Sequence, residues 1–464
     1  MQVAVTTEPR GYHVHNLDTR SLRSTLLLGA ASVAALSLSL PAAAQDQPTE
    51  TVVVTGSRIP QQGLYAPSPV TAVGQQEMKF EGTTGVETLL NNLPSVFADQ
   101  TSGQSNGATG TATVNLRGLG AQRTLVLVNG TRLAPGDPSN NAGTPGGQNG
   151  AADLNQIPAA LVDHVEVLTG GASAVYGSDA LAGVVNFVMR KDFEGIEVDA
   201  QYGVAQADNT NASYRAILTA AGNPLPDENV WDGQNTSGTL IMGTNTQNGR
   251  GNVTAYLSYQ NTEKVLASSR DFSACSFSTN TPSTAHVCGG SSNFNKFISL
   301  DTKATFFQEG TGAPGSGMFV PFVGGTSQLF NYGATNYLQR PDTRYSGGFF
   351  AHYDVNKELD VYTSFMFTDD STIGQIAPRG LFAGEGAQGA VGFSPGSYFL
   401  INCTNPLMTA QQAALLCPGG GAANLVPGQA SVEIGRRAVE GGPLTDALRH
   451  TSYRMQIGAR GDLG

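Results

Sequence analysis

Residues 157–191 read IPAALVDHVEVLTGGASAVYGSDALAGVVNFVMRK. Two short β-branched runs, Val165–Leu168 and Val184–Met189, flank a segment of small residues that holds Gly170, Gly171, Gly177 and Gly183. Glycines and alanines at this density bring backbones close together and let the chain bend sharply between strands. The segment therefore reads as two strands joined by a tight, glycine-rich connection.

Working outward on the N-terminal side, residues 66–191 read as one α/β domain. Val86–Pro94 has the pattern of a short helix stopped by Pro94. Val114–Gly120 leads into Thr124–Val128, a continuous apolar run expected as a strand buried on both faces. Asn129-Gly130 follows, a strong tight-turn signal. A Pro/Gly/Asn-rich loop then runs from Leu133 to Leu154 and contains Asp137, Asn140, Asn141 and Gln148.

On the C-terminal side the texture changes to period-two alternation. Ile196–Tyr202 and Val253–Gln260 alternate strictly. Leu359, Val361, Thr363, Phe365 and Phe367 oppose Asp360, Tyr362, Ser364, Met366 and Thr368. Tyr453, Met455, Ile457 and Ala459 oppose Arg454, Gln456, Gly458 and Arg460. Such strands set one face against an apolar medium and the other toward a polar interior. A soluble β-sandwich alternates in the same way, so the pattern alone leaves both open. Val355–Glu358 reads as a short turn, whereas 223–250 and 371–449 read as long connections. Eight to ten strands are expected after residue 193.

The beginning of the chain resembles a secretory leader. Arg20 and Arg23 precede the uncharged run Leu26–Leu40, and Pro41–Ala44 supplies an Ala-x-Ala site before Gln45. That run falls short of the ~20 residues of a spanning helix. Charged residues make up 13% of the 464 and the net charge is -11, so a basic nucleic-acid surface is excluded. The 58 glycines exceed the usual ~7% and suit a β-rich protein with long polar loops. The cysteines, Cys275, Cys288, Cys403 and Cys417, lack metal-ligand spacing, and no metal or cofactor is expected. In an oxidising compartment they allow three connectivities, of which the sequence-local pairs Cys275–Cys288 and Cys403–Cys417 are expected.

These residues together resemble the TonB-dependent outer-membrane receptors. Val165, Glu166, Val167, Gly170, Tyr176, Gly177, Ser178, Gly183, Val184, Val185 and Asn186 follow the family's pattern at the end of its plug domain. Ala182 stands where the family usually has a second glycine. Asn115–Gly118, with Arg117 and Gly118, and Arg123–Gly130 match the plug as well, with Asn129 in place of the usual aspartate before Gly130. The extended hexamer Thr51–Gly56 resembles the TonB box, a strand that pairs with TonB by β-augmentation through Thr51, Val52, Val53, Val54 and Thr55.

The resemblance implies an α+β plug followed by antiparallel transmembrane β-barrel strands. It divides the chain into a signal peptide (1–44), a linker with TonB box (45–65), a plug (66–191) and the N-terminal part of a barrel (192–464). About 22 strands make a plugged barrel, so an incomplete barrel, from a fragment or a truncated reading frame, is expected here. It further implies a cell outer membrane protein in contact with lipid, TonB and a small-molecule ligand. Asp137, Asn140, Asn141 and Gln148 would face that ligand from an apical loop. Arg117 and Glu166 are expected to pair near each other or with wall charges such as Arg215.

No catalytic constellation is found. Asp163 and His164 are adjacent near a strand, so their side chains are expected to diverge. Gly118-Leu119-Gly120 lacks a third glycine and precedes a strand, which excludes a dinucleotide site. Active import of a siderophore, cobalamin, saccharide or peptide is the function expected, and no enzyme activity is. The alternatives are a passive or adhesive outer-membrane β protein that never engages TonB, and a soluble periplasmic binding module of residues 45–191.

Overall fold

The computed structural model describes residues 70–80, 85–137, 151–170, 172–279, 286–292, 296–310, 317–323, 328–383 and 398–461. The chain separates into two units, Met1–Val53 and Val54–Gly464, and every described residue lies in the second. The leader, the linker and the hexamer Thr51–Gly56 lie outside the described residues, as do Asn140, Asn141 and Gln148.

Five strands form the first sheet: β1 (Val70–Gly74), β2 (Thr124–Val128), β3 (Thr131–Arg132), β4 (Val162–Leu168) and β5 (Gly183–Met189). Their order is β1-β4-β5-β2-β3, with β2 and β5 parallel and the other pairs antiparallel. The sheet is covered on both faces, which is why β2 is apolar throughout. On one side Val126, Val128, Val165, Val167, Val185 and Phe187 join the main core with Leu89 and Leu90. On the other, Leu125, Leu127, Leu168 and Val184 pack with Ala172 and Ala180. Leu89 and Leu90 come from helix α1 (Val86–Asn91), which ends before Pro94.

Six long strands form the second sheet, here called the wall: β6 (Gly195–Asp208), β7 (Asn229–Asn245), β8 (Gly251–Thr262), β9 (Asp342–Asp354), β10 (Leu359–Ile376) and β11 (Leu444–Gly461). It is wholly antiparallel, in the order β11-β10-β9-β8-β7-β6, and it is not closed. The alternation has a physical outcome. Ile196, Val198, Met455 and Ile457 are 75%, 71%, 81% and 88% exposed on one face. Tyr259–Tyr345 and Phe367–Tyr453 are direct cross-strand neighbours with ring centroids 5.2 Å apart. From the opposite face Ile241, Tyr256, Phe350 and Met366 enter the core of the first sheet.

One expectation needs correcting. The stretch 223–250 is largely the strand β7, not a connection. Gly233, Gly238 and Gly243 interrupt its apolar alternation and make it read as a loop. At Gly243 the reason is steric: a Cβ there would lie 2.1 Å from the Phe193 carbonyl oxygen, where the chain crosses from the first sheet to the wall.

Turns at one end of the wall are short, at 246–250 and 355–358, whereas the connections 209–228, 263–341 and 377–443 at the other end are long. The first long connection carries helix α2 (Ala212–Ala220), capped by Asn211, whose Oδ1 accepts from Ser213 N and Tyr214 N. Leu218 of α2 is fully buried against Ala274 and Cys275 of the second. The second and third connections merge. Lys296–Ser299 pairs with Gln429–Arg437 inside one further sheet, to which Thr305–Glu309, Met318–Pro321, Gly380–Ala383 and Phe399–Asn402 also belong. Disulfides join Cys275 to Cys288 and Cys403 to Cys417, with Cα–Cα distances of 5.6 and 5.8 Å.

Candidate functional site

The glycine-rich motif of residues 165–186 builds the connection between β4 and β5. Gly183 has φ +144, and a Cβ there would lie 2.2 Å from the Leu168 carbonyl oxygen. Gly177 has φ +91 after the short helical turn Ser173–Tyr176. Asn129 (φ +50) and Gly130 (φ +74) make a tight turn with two left-handed residues. Asn186 ties these parts together: its Nδ2 donates to Glu166 Oε2 (2.9 Å) and its Oδ1 accepts from Gly130 N (2.9 Å). Asn129 Oδ1 in turn accepts from Met189 N (2.8 Å).

Arg117 and Glu166, expected to pair near each other or with wall charges such as Arg215, both have partners within the first sheet's domain. Glu166 is buried against Asn186 inside the first sheet. Arg117 takes a left-handed backbone (φ +58) and donates through Nη2 to the Leu181 carbonyl oxygen. Arg215 holds the Asn209 and Pro226 carbonyl oxygens within the first long connection. The surface pair that does form is Arg132–Asp179, and its hydrogen bond, aided by Ser178, holds the Asp179 carboxyl below the usual range. Asp163 and His164 also depart from expectation. They are hydrogen-bonded to each other, Oδ2 to Nδ1, at 2.7 Å, because the register shifts between Val162 and His164. A bulge turns two adjacent side chains to one side.

A polar seam lies between the first sheet's domain and the wall. Asn155 Nδ2 donates to Asp370 Oδ2 at 2.7 Å. Arg344 Nη2 meets Asp342 at 2.5 Å and Asp370 at 3.5 Å. Arg340 is only 3% exposed, and its backbone N and Nη2 donate to the Ser102 and Thr101 carbonyl oxygens. Across from them, burial pushes the Glu87 carboxyl above its ordinary range, with Arg344 opposing. Burial does the same to Asp153, against the backbone N–H groups of Ala112 and Asn155. Three cavities run along this seam, and Arg344 lines all of them. The one bounded by Glu87, Ser102, Asn235 and Gln339 has a volume of about 100 Å³. It is polar and large enough for a few waters.

Above the seam, at the end with long connections, the segment Thr101–Thr111 is held by the second long connection and by the wall. Ser105 Oγ donates to the Tyr337 carbonyl oxygen (2.7 Å), and His450 Nε2 meets the Thr109 carbonyl oxygen (2.7 Å). Below it, Phe193 N donates to Thr254 Oγ1, and Arg190 makes a two-pronged pair with Glu197 at 3.0 and 2.7 Å. The domain is thus hydrogen-bonded to the wall at both ends and sealed in the middle by Ile241, Tyr256, Phe350 and Met366. Asp137 is buried and accepts from Thr111 Oγ1 (3.0 Å). None of Asn155, Arg340, Arg344 or Asp370 stands out from the sequence alone. The parity that turns Ser364 and Thr368 inward also turns Asp370 inward, and that was the available signal.

Residues 44–184 match the family model of the TonB-dependent Receptor Plug Domain. The domain of the first sheet lies largely within those residues and is accordingly called the plug. Among solved structures, the ferric enterobactin receptor PfeA from Pseudomonas aeruginosa is similar at 14% identity, with 66% of this chain and 34% of that one covered and a TM-score of 0.38. The siderophore receptor PirA from Acinetobacter baumannii is 18% identical, with 68% and 41% covered and a TM-score of 0.33. The ferric citrate transporter FecA is 16% identical, with 67% and 41% covered and a TM-score of 0.31. The chain spans about a third of the length of the PfeA chain it matches.

Proposed function

We propose that this chain is a receptor for TonB-driven uptake of a scarce ligand across the outer membrane, and not an enzyme. One observation carries the reading: a plug domain sits on the inner face of an antiparallel sheet whose outer face is apolar. In this reading residues 1–44 direct export, 45–65 hold the TonB box, 66–191 are the plug and the remainder is barrel wall. The outward Ile196, Val198, Met455 and Ile457 meet lipid. The short turns face the periplasm and the long connections face outside.

TonB pairs with Thr51–Thr55 as an added strand and pulls on the plug. The seam yields first, because its polar cavities leave room for water between the two faces. The ligand belongs to the siderophore, cobalamin, saccharide or peptide classes, and the segment with Asn140, Asn141 and Gln148 contributes to its recognition. Asp137 anchors one end of that segment through Thr111.

The test is binding of the purified chain to the periplasmic C-terminal domain of TonB. Val53→Pro removes a backbone donor from the added strand. Saturable binding that this variant abolishes is the expected result. Equal binding by both forms, or none by either, sinks the reading in favour of a passive or adhesive wall protein.

A further inference from the structure

At the short-turn end, the inner face of the β9–β10 hairpin gathers His352, Asp354 and Asp360, with their ligand-capable atoms all within 4.8 Å of one another. Asp354 and Asp360 are direct partners across the antiparallel pair. Like charges in that position repel and destabilise a sheet unless something positive sits between them. Arg460 answers part of this charge, since its Nε donates to Asp360 Oδ2 at 2.7 Å. The other oxygen, Asp360 Oδ1, is buried and has no hydrogen-bond donor among the described residues. It faces His352 Nδ1 at 3.5 Å.

The imidazole itself is held from behind. His352 Nε2 lies 2.6 Å from Asp192 Oδ1, on the segment that leaves the plug. A carboxylate at Nε2 favours the tautomer with its proton there and leaves the Nδ1 lone pair aimed at Asp360 and Asp354. This is the arrangement in which a carboxylate orients a histidine toward a metal. One imidazole nitrogen and two carboxylates suit a divalent cation of the zinc, cobalt or manganese type. Ligand bonds of about 2.0–2.2 Å need donor atoms roughly 3–3.5 Å apart. The Nδ1–Oδ1 separation of 3.5 Å already meets that, and Asp354 is exposed and can turn inward.

We propose that His352, Asp354 and Asp360 bind one divalent cation at the short-turn rim, with Asp192 as a positioning residue. The cation pins the plug's exit segment to the β9–β10 hairpin, and through Arg460 it stiffens the neighbouring end of β11. The site is separate from the plug–wall seam and does not depend on how the chain is energised.

The experiment is titration of the full chain in detergent with Co²⁺ alone, followed by its visible absorption, with Zn²⁺ as competitor. One equivalent of Co²⁺, displaced by Zn²⁺, is expected. Asp354→Asn keeps the size of an exposed residue at the turn side of β9, and it should weaken binding at least tenfold. His352→Ala should abolish the spectrum. Asp192→Asn keeps all three ligands and should weaken binding about 10–100-fold, as loss of an orienting partner does. An unaltered spectrum in Asp354→Asn and His352→Ala, or no stoichiometric binding by the parent chain, overturns the proposal and leaves an ion-pair cluster. Unchanged affinity in Asp192→Asn overturns the role given to Asp192.

Discussion

Asn155 of the plug and Asp370 of the wall are 215 residues apart in sequence, yet the amide of one donates to the carboxylate of the other at 2.7 Å, out of contact with solvent. The same carboxylate lies 3.5 Å from Arg344, so a single wall residue receives both a plug amide and a wall guanidinium. Replacing Asn155 with alanine leaves Asp370 with one partner fewer in a buried place. The expected cost is about 1–3 kcal/mol. Hydrogen exchange should quicken over residues 151–157 and 100–111 while the β4–β5 motif stays protected. Uniform exchange across the whole plug would contradict this local role.

Gly183 offers a sharper case. Its φ of +144 and the 2.2 Å separation of a built Cβ from the Leu168 carbonyl oxygen leave no room for alanine. Gly183→Ala should destabilise the plug by roughly 3 kcal/mol or more, the range of a severe backbone clash. Limited proteolysis should then cut the plug while the wall strands survive. A plug as protease-resistant as the parent's would refute the assignment.

The buried carboxyls make the plug sensitive to pH in a defined direction. Glu87 has its folded value raised above the ordinary 4.5, chiefly by burial. The folded state therefore keeps this proton to higher pH than the unfolded state does, and its stabilising contribution is lost as pH rises from about 4.5 through the raised value. Asp153 acts in the same sense from 3.8 upward. Plug stability should fall with rising pH in this window, and Glu87→Gln should flatten the slope. A slope unchanged in that variant would assign the effect elsewhere.

The two faces of β11 allow a test of the wall's surroundings. Ile457 is 88% exposed, whereas its neighbour Gln456 faces inward and donates to Thr131 Oγ1 of the plug at 3.1 Å. If lipid covers the outer face, Ile457→Arg should cost about 2–4 kcal/mol near the bilayer midplane. Ile457→Thr should cost far less. Equal tolerance of both, scored as yield in outer-membrane fractions, would place that face in water.

The disulfide Cys403–Cys417 closes a short loop around helix α3 (Ala410–Leu416), whose N-terminus carries a Thr409–Gln412 capping box. A loop of this size is worth about 3 kcal/mol in the chain-entropy view. The double variant C403S/C417S should loosen exchange in 399–437 and leave β6–β11 unaffected. Loss of wall protection would mean that the connection and the wall fold as one unit.

Much of this architecture is legible in the sequence, for identifiable reasons. Alternation in Val253–Gln260 and Leu359–Thr368 fixes both strand and face, because period two has one solution. The small-residue motif at 165–186 announces a turn that only glycine can make. What escapes is non-local or depends on exceptions to pattern. β7 is hidden because Gly243 sits where Phe193 crosses, a contact made 50 residues away. The pairing of Asp163 with His164 depends on a bulge that nothing local predicts. Arg344 and Asp370 look like ordinary wall residues until Asn155 and Glu87 are brought opposite them. His352 and Asp360 come together only across the hairpin turn.

Pairing of Lys296–Ser299 with Gln429–Arg437 makes two distant connections share backbone hydrogen bonds. Neither can be lengthened, shortened or exchanged for a relative's version without leaving the other with an open edge. The two connections therefore behave as one structural unit, and a chimera that exchanges 263–341 is expected to stay folded only when 377–443 travels with it.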